Sequence, residues 1–155
     1  MRILLLILLF YQTPYADEIG IVSKVVDGDT IYLVTKNKQR IKIRLEYIDA
    51  PELDQPFGVE SKLILTNLIL NKEVLFDAKK KDRYQRYLTT LFHNGIDINL
   101  EMLRNGAAWH YKKYAHLDQT KKQYLDYEEA EKEAKYNKFG LWSNHAIPPW
   151  IWRQN

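Results

Sequence analysis

The order of the predicted elements indicates an α+β fold, because strands come first in the chain and helices are interleaved or follow. Half-buried strands are predicted where apolar and polar residues alternate, as in the R-I-K-I-R-L run of Arg40–Leu45. Turn pairs such as Asp27-Gly28 and Asn94-Gly95 separate several of these runs. Val59–Leu70 instead carries apolar residues at helical spacing.

The predicted elements end where the chain offers a turn, a proline or a glycine. Pro51 prevents the third strand from continuing, and Gly106 follows a short helix as a typical C-terminal cap. The last helix is charged over most of its surface. The predicted strands are Gly20–Val26, Thr30–Thr35, Arg40–Tyr47, Glu73–Asp77 and Tyr87–Phe92. The predicted helices are Val59–Leu70, Ile98–Arg104 and Asp118 to about Asn137.

Five strands with a helix between the third and the fourth suit the five-stranded oligonucleotide-binding (OB-fold) β-barrel, here with about three helices. The chain has 155 residues, of which 46% are hydrophobic and 28% charged, so it can bury a core and is not disordered. The sequence contains no internal repeat and no linker. We therefore expect residues 17–155 to form a single domain.

The first residues, Met1–Ala16, have a different pattern. Arg2 precedes eight unbroken apolar residues, Ile3–Phe10, and Pro14 and Ala16 suit the approach to a cleavage site. This is typical of a secretory signal peptide, since a membrane-spanning helix needs about 20 residues. A buried first strand is the alternative. We expect a bacterial protein that is secreted or periplasmic, without stable membrane association after signal removal.

Composition excludes some sites and favours others. The chain has no cysteine, which excludes disulfides and thiolate metal centres. Its net charge of +3 is too mild to indicate a polyanion partner by itself. The distribution is more informative, because Arg83 and Arg86 alternate with Tyr84 and Tyr87 after the lysines of Lys79–Lys81. A lysine run alone is usually a solvated loop, but this mixture favours phosphate contacts with base stacking.

Three carboxylates lie at predicted strand ends. Asp29 stands where the first hairpin enters the second strand, and Asp49 and Glu52 follow the third strand. Such oxygen-only clusters suit hard cations, Ca²⁺ above all, although acids in turns usually face water. Arg44 lies on the polar face of the third strand, near its end, and so is beside these carboxylates. A phosphate between the cation and this guanidinium would satisfy both, with Pro51 fixing the approach of Glu52.

Three motifs in this order, V-D-G-D-T, R-L-x-x-I-D-A-P-E and D-R-Y-x-R, resemble those of the staphylococcal nuclease (thermonuclease) family. The likeness runs from about Ile21 to Trp142 and includes G-L-W at 140–142. It implies an OB-fold barrel and a Ca²⁺-dependent phosphodiesterase that hydrolyses DNA and RNA and leaves 3′-phosphate ends. It implies single-stranded DNA and RNA as partners, with duplex DNA bound more weakly. We expect the chain to act as a monomer.

The resemblance also implies roles for individual residues. Asp29 and Asp49 resemble the carboxylate ligands of Ca²⁺, and the backbone carbonyl of Ala50 would be a further ligand where the family often has threonine. Glu52 resembles the residue that orients or deprotonates the attacking water. The segment after it, L-D-Q-P-F-G-V, is shorter than in the staphylococcal enzyme, so the loop beside Glu52 is expected to differ in shape.

Arg44 and Arg86 resemble the two phosphate clamps of the family, and Tyr84 resembles its tyrosine near the bound nucleotide. Gln85 stands where the best-known members have glycine. If this position needs a positive φ, glutamine strains the loop and shifts Arg86. Another mixture of aromatics and lysines, W-H-Y-K-K-Y, occupies 109–114, where Trp109 is expected in the core. The remaining candidates for substrate contacts are Arg83, Tyr111 and Tyr114.

Two other functions suit parts of this pattern. The first is a catalytically inactive OB-fold module that binds nucleic acid, but inactive copies would be expected to lose charged residues of the site, and all five are present here. The second is a Ca²⁺-stabilised structural domain, which accounts for the carboxylates but gives Arg44 and Arg86 no purpose. The sequence therefore favours a nuclease.

Overall fold

The structure is a computed structural model that describes residues 18–154. The predicted signal peptide, residues 1–16, lies outside this range. Strands come first and helices are interleaved or follow, so the α+β class is confirmed. Among the described helices, none combines the length and the apolar character needed to cross a bilayer.

The elements agree with the prediction in most of their positions. The strands are β1 (Glu18–Val25), β2 (Thr30–Thr35), β3 (Arg40–Leu45), β4 (Ile48–Asp49), β5 (Glu73–Phe76), β6 (Lys80–Lys81), β7 (Tyr87–Thr89), β8 (Phe92–His93), β9 (Ile96–Asp97) and β10 (Trp109–His110). The helices are α1 (Gly58–Ile69), α2 (Ile98–Arg104), α3 (Lys112–Asp118), α4 (Lys121–Tyr136) and α5 (Pro149–Trp152), with a 3-10 turn at Gly140–Ser143.

The main sheet has the order β6-β7-β3-β2-β1-β5-β8-β9, while β4 pairs separately with β10. The β3–β7 pair is parallel and the other pairs are antiparallel. These ladders do not close into a ring, but β7 and β8 belong to one stretch, residues 87–93. This stretch pairs with β3 at its start and with β5 at its end, where Phe92 faces Leu75. Together with β1 and β2, these segments give the predicted five-stranded arrangement.

Alternation along β3 sorts its side chains between the core and the surface. Ile43 and Leu45 are fully buried, and Ile31 and Leu33 of the neighbouring β2 are buried with them. The intervening residues of β3 are charged and point to the other face. The outward positions end at Arg44, which this pattern places at the rim of the barrel.

The expectation of about three helices was wrong, because the described residues form five. α3 and α5 were missed, and the last predicted helix begins at Lys121 and not at Asp118, which is the last residue of α3. Gln119 is extended, and the Thr120 hydroxyl accepts a hydrogen bond from Gln123 N at 3.2 Å, so α4 begins only after this cap. Thr120 and Gln123 have the spacing of a capping box, a signal that was present in the sequence.

Two predicted strands are also shorter than expected. The strand Arg40–Tyr47 ends at Leu45 because Tyr47 adopts a left-handed backbone conformation with φ of 63°. The strand Tyr87–Phe92 is interrupted after Thr89, since the chain bends there from its pairing with β3 to its pairing with β5. The Asn94-Gly95 turn is confirmed, with positive φ at both residues.

Candidate active site

The turn between β1 and β2 places Asp29 against the end of β4. Asp29 N donates to Asp27 Oδ1 at 3.0 Å, which closes the turn locally. A Cβ on Gly28 would collide with the Ser61 hydroxyl, so only glycine allows this close packing against α1. Asp29 Oδ2 accepts a hydrogen bond from Ala50 N at 2.8 Å. Two residues predicted as cation ligands, Asp29 and Ala50, therefore lie side by side.

Arg44 joins the two aspartates. Its Nη1 lies 3.1 Å from Asp29 Oδ2, and its Nη2 donates to Asp49 Oδ1 at 2.8 Å. Nη1 also donates to the carbonyls of Leu45 and Ile48, at 2.7 and 3.0 Å. These contacts hold the guanidinium across the tight turn between β3 and β4. Because the Asp49 side chain is 1% exposed, its charge needs such a partner.

Burial shifts the acid–base behaviour of this cluster. It raises the pKa of Asp49, and the hydrogen bond from Arg153 and the charge of Arg44 oppose that rise. Burial and the neighbouring Asp29 charge raise the pKa of Asp27 to about 7. The pocket thus holds closely spaced acids whose charges are only partly balanced by arginines.

Arg153 is a site residue that the sequence interpretation missed. It follows α5, and its guanidinium contacts Asp49 Oδ2 at 2.6 Å and Glu52 Oε1 at 2.7 Å. Aromatic stacking holds α5 in this position: Trp150 lies parallel to Tyr111, with ring centroids 5.3 Å apart. Glu52 lies 101 residues away in sequence, so no local pattern connects it to Arg153.

The loop after Glu52 is tied to the same C-terminal segment. Glu52 N donates to the side-chain carbonyl of Gln55 at 3.1 Å, and the Gln55 amide donates to the carbonyl of Ile147. Gln55 is buried, so this link is shielded from water. The shorter loop noted in the sequence therefore packs against the end of the chain, and Glu52 and Arg153 are positioned together.

The basic loop, residues 79–86, is organised by Asp82. Its carboxylate accepts hydrogen bonds from Arg86 Nε at 2.7 Å, Arg86 N at 3.0 Å and Tyr84 N at 2.9 Å. Burial acts to raise the pKa of Asp82, but these bonds lower it overall. Gln85 has φ of 63°, so this position does require a left-handed conformation. The Tyr84 ring lies beneath the Arg83 and Arg86 guanidinium groups, at 4.8 and 5.4 Å.

All of the predicted site residues line one cavity of about 860 Å³. They come from strand ends, the basic loop and the start of α3, and Tyr111 and Tyr114 contact each other with ring centroids 4.8 Å apart. The predicted residues on its wall are Asp29, Arg44, Asp49, Ala50, Glu52, Arg83, Tyr84, Arg86, Tyr111 and Tyr114. The expectation for Trp109 is also met, since this residue is buried.

The donors in the cavity fit a hard cation by their chemistry. Asp29, Asp49 and the Ala50 carbonyl are oxygen ligands of the kind that Ca²⁺ takes. Within residues 18–154, no three His, Cys, Asp or Glu side chains are arranged as a ready metal site. Arg44 and Arg153 explain this, because their guanidinium groups lie between the carboxylates and neutralise them. The positive charge of arginine occupies the place where a cation would balance the same acids.

Comparison with known proteins identifies the family of the chain. A family model described as "Staphylococcal nuclease homologue" matches residues 42–144, more than half of the chain. An "Uncharacterized endonuclease" of Haemophilus influenzae is 43% identical over 134 residues, which cover 86% of this chain and 71% of that protein. A "Micrococcal nuclease" of Shigella flexneri is 37% identical over 159 residues, covering 96% and 88%. The chain therefore belongs to the staphylococcal nuclease family.

Proposed function

We propose that this protein is a Ca²⁺-dependent phosphodiesterase that hydrolyses DNA and RNA and leaves 3′-phosphate ends. The observation that carries the proposal is the cavity itself, which is lined by the oxygen donors, the Glu52 carboxylate, Arg44, Arg86 and tyrosine side chains. Family membership supports nuclease activity in general. The cation and the products follow from the donor chemistry and from the resemblance of the site.

Asp29, Asp49 and the Ala50 carbonyl would hold Ca²⁺. When bound, the ion would supply positive charge next to the scissile phosphate and so stabilise the charge that develops there. Arg153 must then release Asp49, since both of its contacts with that carboxylate use oxygens that a cation would take. Arg44 would likewise have to yield its contacts with Asp29 and Asp49, but its bonds to the Leu45 and Ile48 carbonyls would keep it at the strand end.

The chain's own residues supply the remaining steps. Once Arg153 withdraws, the Glu52 carboxylate is free to accept a proton from a water molecule. Arg44 and Arg86 donate hydrogen bonds to the phosphate oxygens, and their contribution grows as negative charge accumulates during attack. Asp82 orients Arg86 for this task through the Nε contact. Removal of one such transition-state donor typically costs about 3–4 kcal/mol.

The tyrosines favour single strands as substrates. Tyr84 is 63% exposed and Tyr114 is 50% exposed, so each offers a ring to an unpaired base. Bases inside a duplex are stacked on one another and cannot reach these rings. Single-stranded DNA and RNA are therefore expected to be cut faster than duplex DNA.

Activity-gel assays on DNA and RNA, with Ca²⁺ and with excess chelator, test the proposal. The expected result is cleavage with Ca²⁺ and none with chelator, and 3′-phosphate ends should block extension by a polymerase until a phosphatase is added. Full activity in chelator would refute the cation requirement, and directly extendable 3′-hydroxyl ends would refute the proposed products.

One observation favours a second candidate, a nucleic-acid-binding module without catalysis. Arg153 pairs with Glu52 at 2.7 Å, and a permanent pair would keep this carboxylate from water. The same assays separate the two candidates, because a binding module would retain oligonucleotide affinity without cleaving under any cation condition.

We also propose that residues 1–16 act as a signal peptide and that the mature protein is secreted or periplasmic. The support is the sequence pattern of Arg2 followed by Ile3–Phe10. Expression with the full leader, followed by fractionation and intact-mass measurement, should yield a shortened chain outside the cytoplasm. A full-length protein retained in the cytoplasm would contradict this.

A further inference from the structure

The hairpin of β2 and β3 carries positive charge at every second position. Lysine or arginine occupies residues 36, 38, 40, 42 and 44, and no acidic residue lies between Thr30 and Leu45. The first two stand in the turn and the rest on β3. We call the four that precede the catalytic arginine the basic strip: Lys36, Lys38, Arg40 and Lys42.

The strip runs along one face of β3 toward the cavity. Because Ile43 and Leu45 point into the core, Arg40, Lys42 and Arg44 share the outer face. Alternate residues on a strand are about 6.6 Å apart. This step is comparable to the distance between neighbouring phosphates of an extended single strand. Arg44 lines the cavity, whereas the strip lies outside its wall.

Tyr32 of β2 supports the strip. Its ring lies 4.2 Å from the Arg40 guanidinium carbon and 5.6 Å from Lys42 Nζ, and its backbone pairs with Lys42 across the sheet. The attraction between each cation and the face of the ring restrains both side chains above Tyr32. The arrangement therefore presents two ordered cations on a flat strand surface.

The strip differs from the other charged surface of the protein in having no counter-charges. On α4, lysines pair with acids, as in Lys122–Asp126, Lys132–Glu129 and Lys135–Glu131. None of the ion pairs found in residues 18–154 includes a member of the basic strip. A solvated surface without a binding function is expected to carry both positive and negative side chains. A row of positive side chains without acidic partners instead creates a positive potential that attracts a polyanion.

The cavity explains why such an attraction would be useful. Its floor contains Asp27, Asp29, Asp49 and Glu52, and Arg44 and Arg153 are already paired with the last three of these acids. A nucleic acid approaching the acids alone would be repelled. Cations placed just outside the cavity can hold the backbone without being neutralised by the floor.

We propose that the basic strip is a binding site for the sugar–phosphate backbone of single-stranded nucleic acid, on the stretch that leaves the catalytic cavity along β3. This proposal rests on the nuclease function proposed above and adds to it a contact surface outside the cavity. The outer face of the second and third strands also binds oligonucleotides in other barrels of this architecture. The strip makes affinity depend on strand length beyond the nucleotides in the cavity.

The test uses a triple variant, Lys36→Gln, Arg40→Gln and Lys42→Gln. Its matched control is Lys121→Gln, Lys122→Gln and Lys132→Gln, which removes the same charge from α4, at residues that are outside both the cavity wall and the basic strip. Fluorescence anisotropy with labelled 12-nucleotide oligothymidylate, in chelator to prevent cleavage, gives affinity between 50 and 200 mM salt.

If each of the three residues contacts one phosphate, the slope of log affinity against log salt should fall by about 2 in the strip variant, since each contact contributes about 0.7. Affinity at the lowest salt should fall roughly tenfold or more. The control should keep the wild-type slope. Equal slopes for both variants, or no binding by the wild type in chelator at low salt, would overturn the proposal.

A separate measurement distinguishes failure of the basic-strip proposal from failure of the catalytic proposal. Wild-type cleavage of a dinucleotide in Ca²⁺ tests the cavity alone, because so short a substrate cannot span to the strip. The ratio of kcat/KM for a 12-nucleotide strand to that for the dinucleotide should fall in the strip variant and not in the control. An unchanged ratio with active enzyme would count against the strip only.

Discussion

Substitution of Arg153 by alanine should have opposite effects on the stability of the cation-free protein and on Ca²⁺ affinity. Arg153 contacts Asp49 through both carboxylate oxygens and Glu52 through one. Its removal leaves Asp49 buried with Arg44 as the remaining ionic partner. The protein without Ca²⁺ loses that stabilisation, whereas the cation no longer has to displace a guanidinium.

The expected loss of stability follows from how exposed the Asp49 and Arg153 side chains are. Removal of one partner of a fully buried ion pair costs about 3–5 kcal/mol, and an exposed pair contributes about 0–1 kcal/mol. Asp49 is 1% exposed and Arg153 is 42% exposed, so an intermediate cost of about 1–3 kcal/mol is expected. In the wild type, Ca²⁺ has to break the Arg153–Asp49 pair. If this costs about 1–2 kcal/mol of the pairing energy, the Ca²⁺ affinity of Arg153→Ala should be roughly 5- to 30-fold higher than that of the wild type.

Denaturant unfolding in chelator and calorimetric titration with Ca²⁺ measure the two quantities. Arg104→Ala is the control, because Arg104 forms an exposed pair with Glu101 on α2 and should change neither quantity by much. Arg153→Lys should fall between the wild type and alanine, since lysine cannot span two carboxylates with a planar fork. Weaker Ca²⁺ binding in Arg153→Ala, with unchanged stability in chelator, would refute the reasoning.

Five further substitutions separate the other proposed roles. Asp49→Asn should raise the Ca²⁺ concentration needed for half-maximal activity, and an unchanged titration would remove Asp49 as a ligand. Glu52→Gln should lose most turnover and regain part of it at higher pH, where hydroxide is more abundant; a pH profile parallel to wild type would contradict the base assignment. Arg86→Ala should lose about 10²–10³-fold in single-turnover rate, and Asp82→Asn should lose less, because it only loosens Arg86; equal losses of rate and affinity would make Arg86 a plain phosphate contact. Gln85→Gly should raise the unfolding free energy by up to about 1 kcal/mol by relieving the left-handed backbone, and a destabilised variant would show that glutamine is not strained there.

The features that local patterns could predict are those set by alternation and turn chemistry. The R-I-K-I-R-L run predicted which side of β3 is buried and so placed Arg44 at the rim. The turn pairs marked the ends of β1 and β8, and the three motifs identified residues that the structure brings to one cavity. These predictions concern residues that are near each other in sequence, where the two-residue period of a strand determines which side chains share a face.

The features that could not be predicted depend on long-range packing. Arg153 reaches Asp49 because Trp150 stacks on Tyr111, and neither the stacking nor the distance has a local signature. The start of the last predicted helix, α4, is a different case. Thr120 carried a recognisable cap signal, but the charged pattern on both sides was continuous and concealed the break.

The arginine and lysine side chains have two separate functions around a site that contains buried acids. The first is folding without the cation: Asp29 and Asp49 need positive partners, which Arg44 and Arg153 provide inside the cavity. These inner cations are then unavailable for long-range attraction of a polyanion, so that function falls to residues whose charges are not paired with the acids.

The two groups should therefore respond differently to substitution. Loss of inner charge, as in Arg153→Ala, changes stability and Ca²⁺ affinity with little effect on the salt dependence of strand binding. Loss of outer charge, as in Lys42→Gln, changes the salt dependence and leaves Ca²⁺ affinity nearly unaltered, because Lys42 lies outside the cavity wall. If Lys42→Gln shifts Ca²⁺ affinity as much as Arg153→Ala does, the two groups act as one electrostatic unit and the division is wrong.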